Sequence, residues 1–166
     1  MAKFDGALAD FDHALSLARD VDAPFTALLA LTRATVGAKL FTFMTVDMQA
    51  GLASRSYTSH PTEYPVSGTK PIRYGDWFDQ VHKRRQCFVA NTLADIDKVF
   101  PDAELIGRLG CGSVINLPVV LADTLVGTVN MLHEERHYRP ERVERARNLL
   151  SLPAKAAYLA SERLRD

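Results

Sequence analysis

The stretch from Gly110 to Glu135, GCGSVINLPVVLADTLVGTVNMLHEE, constrains the fold more than any other part of the chain. Apolar β-formers run through 113–121 and again through 124–132, with the polar break Ala122-Asp123 between them. That pattern predicts two long antiparallel strands joined by a tight turn. A three-residue loop, Ala122 to Thr124, sets Leu121 opposite Leu125, Ile115 opposite Met131 and Asn116 opposite Asn130. Two amides in the middle of an apolar hairpin are costly if buried without partners. Either they pair with each other, or that face floors a polar pocket. The sequence leaves open which face of the sheet carries them. Pro118 lacks an N–H for the ladder and predicts a bulge or an edge in the first strand.

Upstream, Phe4, Leu8, Phe11, Leu15 and Ala18 alternate at four- and three-residue steps, which predicts an amphipathic helix with one narrow apolar stripe. Asp20-Val21-Asp22 ends it, and Pro24 opens a second helix with Asp22 as its cap and Gly37 as its stop. LFTFMTVD (40–47) reads as a central strand buried on both faces, and LASRSYTS (52–59) as a more polar return strand at a sheet edge. Arg55 there discourages edge pairing. The segment 59–75 holds three prolines and two glycines and little periodicity, and loops of that length are often functional. A short helix over 76–84, a brief strand over 86–90, a helical turn or irregular stretch over 91–99, and a helix over 101–109 follow. Pro140 opens the last helix, and Pro153 should kink or interrupt it. Strands with antiparallel neighbours and helices grouped at the ends indicate an α+β domain rather than alternating βαβ units.

The hairpin's "S-hydrophobic-PV" and "hG-hhN-h" patterns, followed by a helix, resemble the closing half of a GAF domain. The resemblance extends from about Ala23 to the C-terminus. It implies a GAF/PAS-like central antiparallel sheet of five to six strands in the order 2-1-5-4-3. Terminal helices cover one face and pocket-forming loops and short helices the other. The whole chain, 1–166, is then one domain, with 1–21 as an N-terminal helix that serves dimerisation and 23–166 as the core. GAF domains bind small molecules between the sheet and the connections after strands two and three. Mapped here, those connections carry His60, Tyr64, Tyr74, Trp77, Phe78 and Phe88. Cys111, Ser113, Asn116 and Asn130 complete the candidate ligand site, and aromatic walls with a few polar groups suit one. Trp77, Phe78 and Phe88 would equally fill a core under a long loop. The Asn-Lys and Phe-x-x-x-Asp-Glu pattern of cyclic-nucleotide GAF domains does not occur.

The resemblance implies a sensory module for an unidentified small molecule, acting through a homodimer of paired end helices or through a signalling protein partner. The alternatives are a thiol-dependent reductase, like the free-methionine-sulfoxide reductases of the same family, and a ligand-free structural dimerisation domain. The reductase needs Cys111 and Cys87 close together on neighbouring strands, one thiolate attacking and the other thiol resolving. The chain lacks those enzymes' cysteine-bearing Gly-rich segment, and bilin attachment at Cys111 does not match the phytochrome pattern. His133 and His137 are four apart, but they flank a strand end rather than sharing a helix, so no metal pair is read from them. No Ser/His/Asp arrangement or nucleotide-binding glycine loop appears.

Lys+Arg and Asp+Glu balance at 20 each, which offers no electrostatic footprint for nucleic acid. The cluster Lys83-Arg84-Arg85 reads as the solvated end of a helix. No apolar run approaches the roughly 20 residues of a membrane span. With two cysteines and an N-terminus that has no apolar signal core, the expected compartment is the cytoplasm.

Overall fold

A computed structural model describes residues 2–165. After a 3-10 turn at Ala2–Phe4 come α1 (Asp5–Ser16), α2 (Ala23–Thr35), β1 (Leu40–Asp47), β2 (Leu52–Thr58) and β3 (Lys70–Pro71). The helical turn α3 (Asp76–Phe78) continues into one π-helical turn, Asp79–Lys83. Then follow β4 (Phe88–Ala90), α4 (Leu93–Asp97), α5 (Ala103–Arg108), β5 (Ser113–Leu121), β6 (Thr124–His133) and α6 (Pro140–Leu164). The strands form one antiparallel sheet in the order β3-β2-β1-β6-β5-β4. It differs in detail from the expected 2-1-5-4-3, because the two-residue β3 is added outside β2.

The period-2 alternation of strands sends odd and even residues of the central strands to opposite faces. Phe41 and Phe43 of β1, Ile115, Leu117 and Val119 of β5, and Val129 and Met131 of β6 pack beneath α1, α2 and α6. The narrow stripe of α1 belongs to this core: Phe11 is buried in it, and Leu8 and Leu15 pack against it. On the other face two separate apolar clusters form. One gathers Leu40, Val114 and Leu132 under α4 and α5, and the other gathers Val46 and Leu125 with Phe78.

The hairpin keeps the expected register through its centre, with Ile115 opposite Met131 and Asn116 opposite Asn130. Near the turn it departs. The loop has two residues, so Leu121 faces Thr124 and Val120 faces Leu125, and a bulge between Val119 and Val120 absorbs the difference. Ala122 and Asp123 both take positive φ, +48° and +64°, the backbone of a type I′ turn. Arg85 holds that turn by donating to the Asp123 carbonyl and carboxylate. Pro118 sits where β4 no longer accompanies β5, since their pairing stops at Asn116.

Three further expectations change. Asp22 makes no side-chain cap; the Asp20 carboxylate instead accepts the N–H groups of Asp22 and Ala23. Pro153 does not end α6, which runs unbroken from 140 to 164 because Leu149, Leu150, Ala154 and Ala157 are anchored in the core on both sides of it. Arg55 does not guard an edge: its backbone exchanges hydrogen bonds with Ser67, and its side chain turns inward. Among the described residues no helix is long and apolar enough to cross a membrane.

Candidate functional site

Between the two apolar clusters, the loop-side face of the sheet carries a polar band. Cross-strand pairing lays Thr58, Thr42, Asn130, Asn116 and Phe88 side by side along one rung. The neighbouring rung holds Arg55, Met44, Thr128 and Pro118. Both hairpin amides therefore face the loops and short helices, the choice the sequence left open.

The hydrogen bonds along this band have one possible direction. An indole nitrogen can only donate. Trp77 Nε1 lies 3.0 Å from Asn116, so the oxygen of that amide faces it. Asn116 Nδ2 then donates to Asn130 Oδ1 at 2.7 Å, and Asn130 Nδ2 donates to Thr42 Oγ1 at 3.1 Å. The donor-only tryptophan thereby assigns both amide orientations. Asn116 is buried and Asn130 half-buried. Thr128, fully buried, has a hydroxyl with no hydrogen-bond partner among the described residues. The other such buried atom is Nδ1 of His82, whose ring lies against Phe78.

Aromatic rings wall the band. Phe100 meets Trp77 and Phe88 edge-on, with centroids 6.2 and 6.0 Å apart. At the β2 end the Arg55 guanidinium lies 3.7 Å over the Tyr64 ring and 3.7 Å from an Asp102 oxygen, and it donates to the Pro65 carbonyl. The Tyr64 hydroxyl donates to the same Asp102 carboxylate, and burial together with that bond pushes its pKa well up. These contacts tie the 59–75 segment to β2 and to the start of α5. Two open clefts lie away from the band. One, of about 640 Å³, is at the α1–α2 turn, and the other, of about 550 Å³, is beside Cys111 and Glu135.

Of the residues singled out in the sequence, Trp77, Phe88, Asn116 and Asn130 come together, with Tyr64 at the margin. Tyr74 is 67% exposed and rests on Phe78, which belongs to the separate Val46 cluster. His60 pairs with the neighbouring Ser59 hydroxyl. Ser113 donates to the Glu134 carbonyl at the hairpin's end. Sequence reasoning missed Thr42, Thr128, Arg55, Phe100 and Asp102. The alternation of LFTFMTVD and LVGTVNML places Thr42 and Thr128 on the asparagines' face once the register is known, and that was the available signal.

The two cysteines do not meet as a pair. Cys87 packs against the helix-side core and Cys111 lies in the loop-side cluster, so the sheet separates them. Burial raises the pKa of both thiols, which disfavours the nucleophilic thiolate.

The histidines, by contrast, do meet. Arg136 at φ +63° folds the chain back and stacks His137 on His133, with ring centroids 3.6 Å apart and planes 7° from parallel. Donor atoms of His133, Glu134 and His137 lie within 4.8 Å of one another. The two imidazoles already have partners, however. His133 Nδ1 accepts the Glu134 N–H, His137 Nε2 meets the Val36 carbonyl, and the Arg142 guanidinium lies against the His137 ring. A cation at His137 would have to displace the Arg142 guanidinium, so the stacked pair acts as a strut between the end of α2 and the start of α6. Burial holds both imidazoles below their ordinary pKa.

No family model and no curated protein sequence matches this chain. Solved structures do. The GAF domain of a phosphoenolpyruvate-protein phosphotransferase from Coxiella burnetii superposes with a TM-score of 0.68 at 16% identity, covering 98% of this chain and 95% of that one. The GAF domain of a two-component sensor histidine kinase from Bacillus halodurans gives 0.67 at 13% identity, covering 89% and 97%. A free methionine-R-sulfoxide reductase from Neisseria meningitidis, solved with its substrate, gives 0.66 at 15% identity, covering 98% and 92%. Identities this low speak for the fold alone: the chain has the fold of a GAF domain.

Proposed function

We propose that this chain is a sensory module that binds a small molecule over the polar band and does no catalysis. One observation carries the reading: a directed row of amides and a hydroxyl, with the unpartnered buried hydroxyl of Thr128 on the neighbouring rung, lies between two apolar clusters and under aromatic rings. The paired amides can hold a core together, but the unpaired Thr128 hydroxyl costs stability as it stands, which fits a group waiting for a ligand. Trp77 lies over the band and donates to Asn116, so a ligand settling on the row shifts the indole ring. That movement is transmitted through the 59–75 segment and α3, and it biases the protein through different ligand affinity in two states. The outward Leu152 and Leu159 of α6, 75% and 53% exposed, are where a second copy or a signalling partner reads the change. Two free cysteines fit a reducing compartment.

Native mass spectrometry of protein purified from cells, repeated after denaturation, tests this. The expected result is an added small-molecule mass that denaturation releases. Protein that carries no such mass, and takes up none from a cell metabolite extract, overturns the reading. The reductase alternative finds no support in the separated, pKa-raised thiols. Its check is alkylation, where both cysteines should react more slowly than free cysteine.

A further inference from the structure

We infer that the ligand of this band is a small carboxylate with a compact aromatic body. This rests on the binding role proposed above and adds the ligand's chemical class. The argument is a count of donors and acceptors. Because the row starts from a donor-only indole, each amide oxygen along it already holds an N–H. Each amide nitrogen uses one of its two hydrogens, and the second finds no partner among the described residues in either Asn116 or Asn130. Thr42 accepts from Asn130, so its own proton must go elsewhere, and no acceptor for it is found among the described residues. Thr128 adds a fully buried hydroxyl with no partner among the described residues.

The band is thus rich in donors. A complementary ligand brings acceptors, and a carboxylate offers about four acceptor positions on two oxygens. Hydrogen bonds from neutral donors to an anion are stronger than those to a neutral carbonyl. Arg55 borders the band with a side chain only 26% exposed, and it supplies positive charge. That charge is shared with Asp102, 3.7 Å away, whose carboxylate also accepts the Tyr64 hydroxyl. An arriving carboxylate therefore competes with Asp102 for the guanidinium. The edge-on rings of Trp77, Phe88 and Phe100 suit a flat apolar body.

Trp77 is the only tryptophan, so its fluorescence reports occupancy of the band directly. The experiment titrates the full chain with benzoate, benzamide and benzylamine, three probes that share a ring and differ in charge and acceptors. Benzoate should change the Trp77 emission saturably and bind about tenfold tighter than benzamide, and benzylamine should not bind. Thr128→Val removes an unpaired buried hydroxyl, so it should melt no lower than wild type yet weaken benzoate by about fivefold. Thr128→Ser keeps the hydroxyl and should keep the affinity, which guards against misreading a misfolded valine variant. Benzamide or benzylamine binding as tightly as benzoate overturns the inference and leaves the site in place. Unchanged benzoate affinity in Thr128→Val also overturns it. A flat benzoate titration overturns it too, and the co-purification measurement then decides whether the site falls with it.

Discussion

The directed row makes a quantitative prediction about Asn116. Its amide receives the Trp77 indole N–H at 3.0 Å and donates to Asn130 Oδ1 at 2.7 Å, with the residue 3% exposed. Asn116→Ala removes both bonds and orphans a donor on one side and an acceptor on the other. Both partners are half-buried, so each orphan costs toward the low end of the usual range, about 1–2 kcal/mol. The expected loss is about 2–4 kcal/mol, a large share of the roughly 5–15 kcal/mol that holds a domain together. A cycle with Trp77→Phe isolates the row from lost packing. The phenyl ring keeps most of the apolar contact but has no N–H, so the coupling energy reads the single bond. It should be about 1–1.5 kcal/mol in urea unfolding followed by circular dichroism. A coupling below about 0.3 kcal/mol, within ordinary additivity error, would refute the claim that the indole anchors the row.

Two further outcomes follow from other parts of the fold. A Cβ on Gly127 would sit 2.5 Å from the Met44 carbonyl oxygen and 2.7 Å from the Phe43 ring, contacts with backbone and core that have no easy escape. Gly127→Ala should therefore cost about 3 kcal/mol or more and lower the melting temperature by about 6–12 °C in a chain of this size; a melting point within 2 °C of wild type would show that the sheet yields there. Burial and mutual repulsion hold His133 below the ordinary imidazole pKa, and burial does the same for His137. A base with a depressed folded pKa contributes stability above the unfolded value of about 6.5, and loses it as pH falls through the folded one. Unfolding free energy should drop as pH falls from about 7 to 5, and His133→Gln should flatten that slope; an unchanged slope would show the drop comes from other groups.

The sequence alone determined the hairpin, its central register and the α+β class. Period-2 apolarity is a local signal, and two amides spaced symmetrically about a short polar break can meet in only one register. The same signal covered the amphipathic helices and the stop at Gly37, whose φ of +92° is a backbone demand of the turn itself. Tertiary structure decided the rest. Which face receives Asn116 and Asn130 depends on where α2 and α6 pack, and that follows from the total apolar area of Phe25, Leu28, Leu31, Ala146 and Leu150 rather than from any strand pattern. Arg55 looked like an edge charge because its inward partners, Tyr64 and Asp102, lie 9 and 47 residues away in sequence. Cys87 and Cys111 sit on neighbouring segments, but the antiparallel register pairs Phe88 with Asn116, which leaves Cys87 at one end of the β4–β5 pairing and Cys111, ahead of β5, at the other. His133 and His137 seemed unrelated because a helix was the only local geometry that brings four-apart residues together. A single left-handed residue, Arg136, stacked them instead. Long-range contact and side-chain facing are properties of the packed chain, and no window of local sequence carries them.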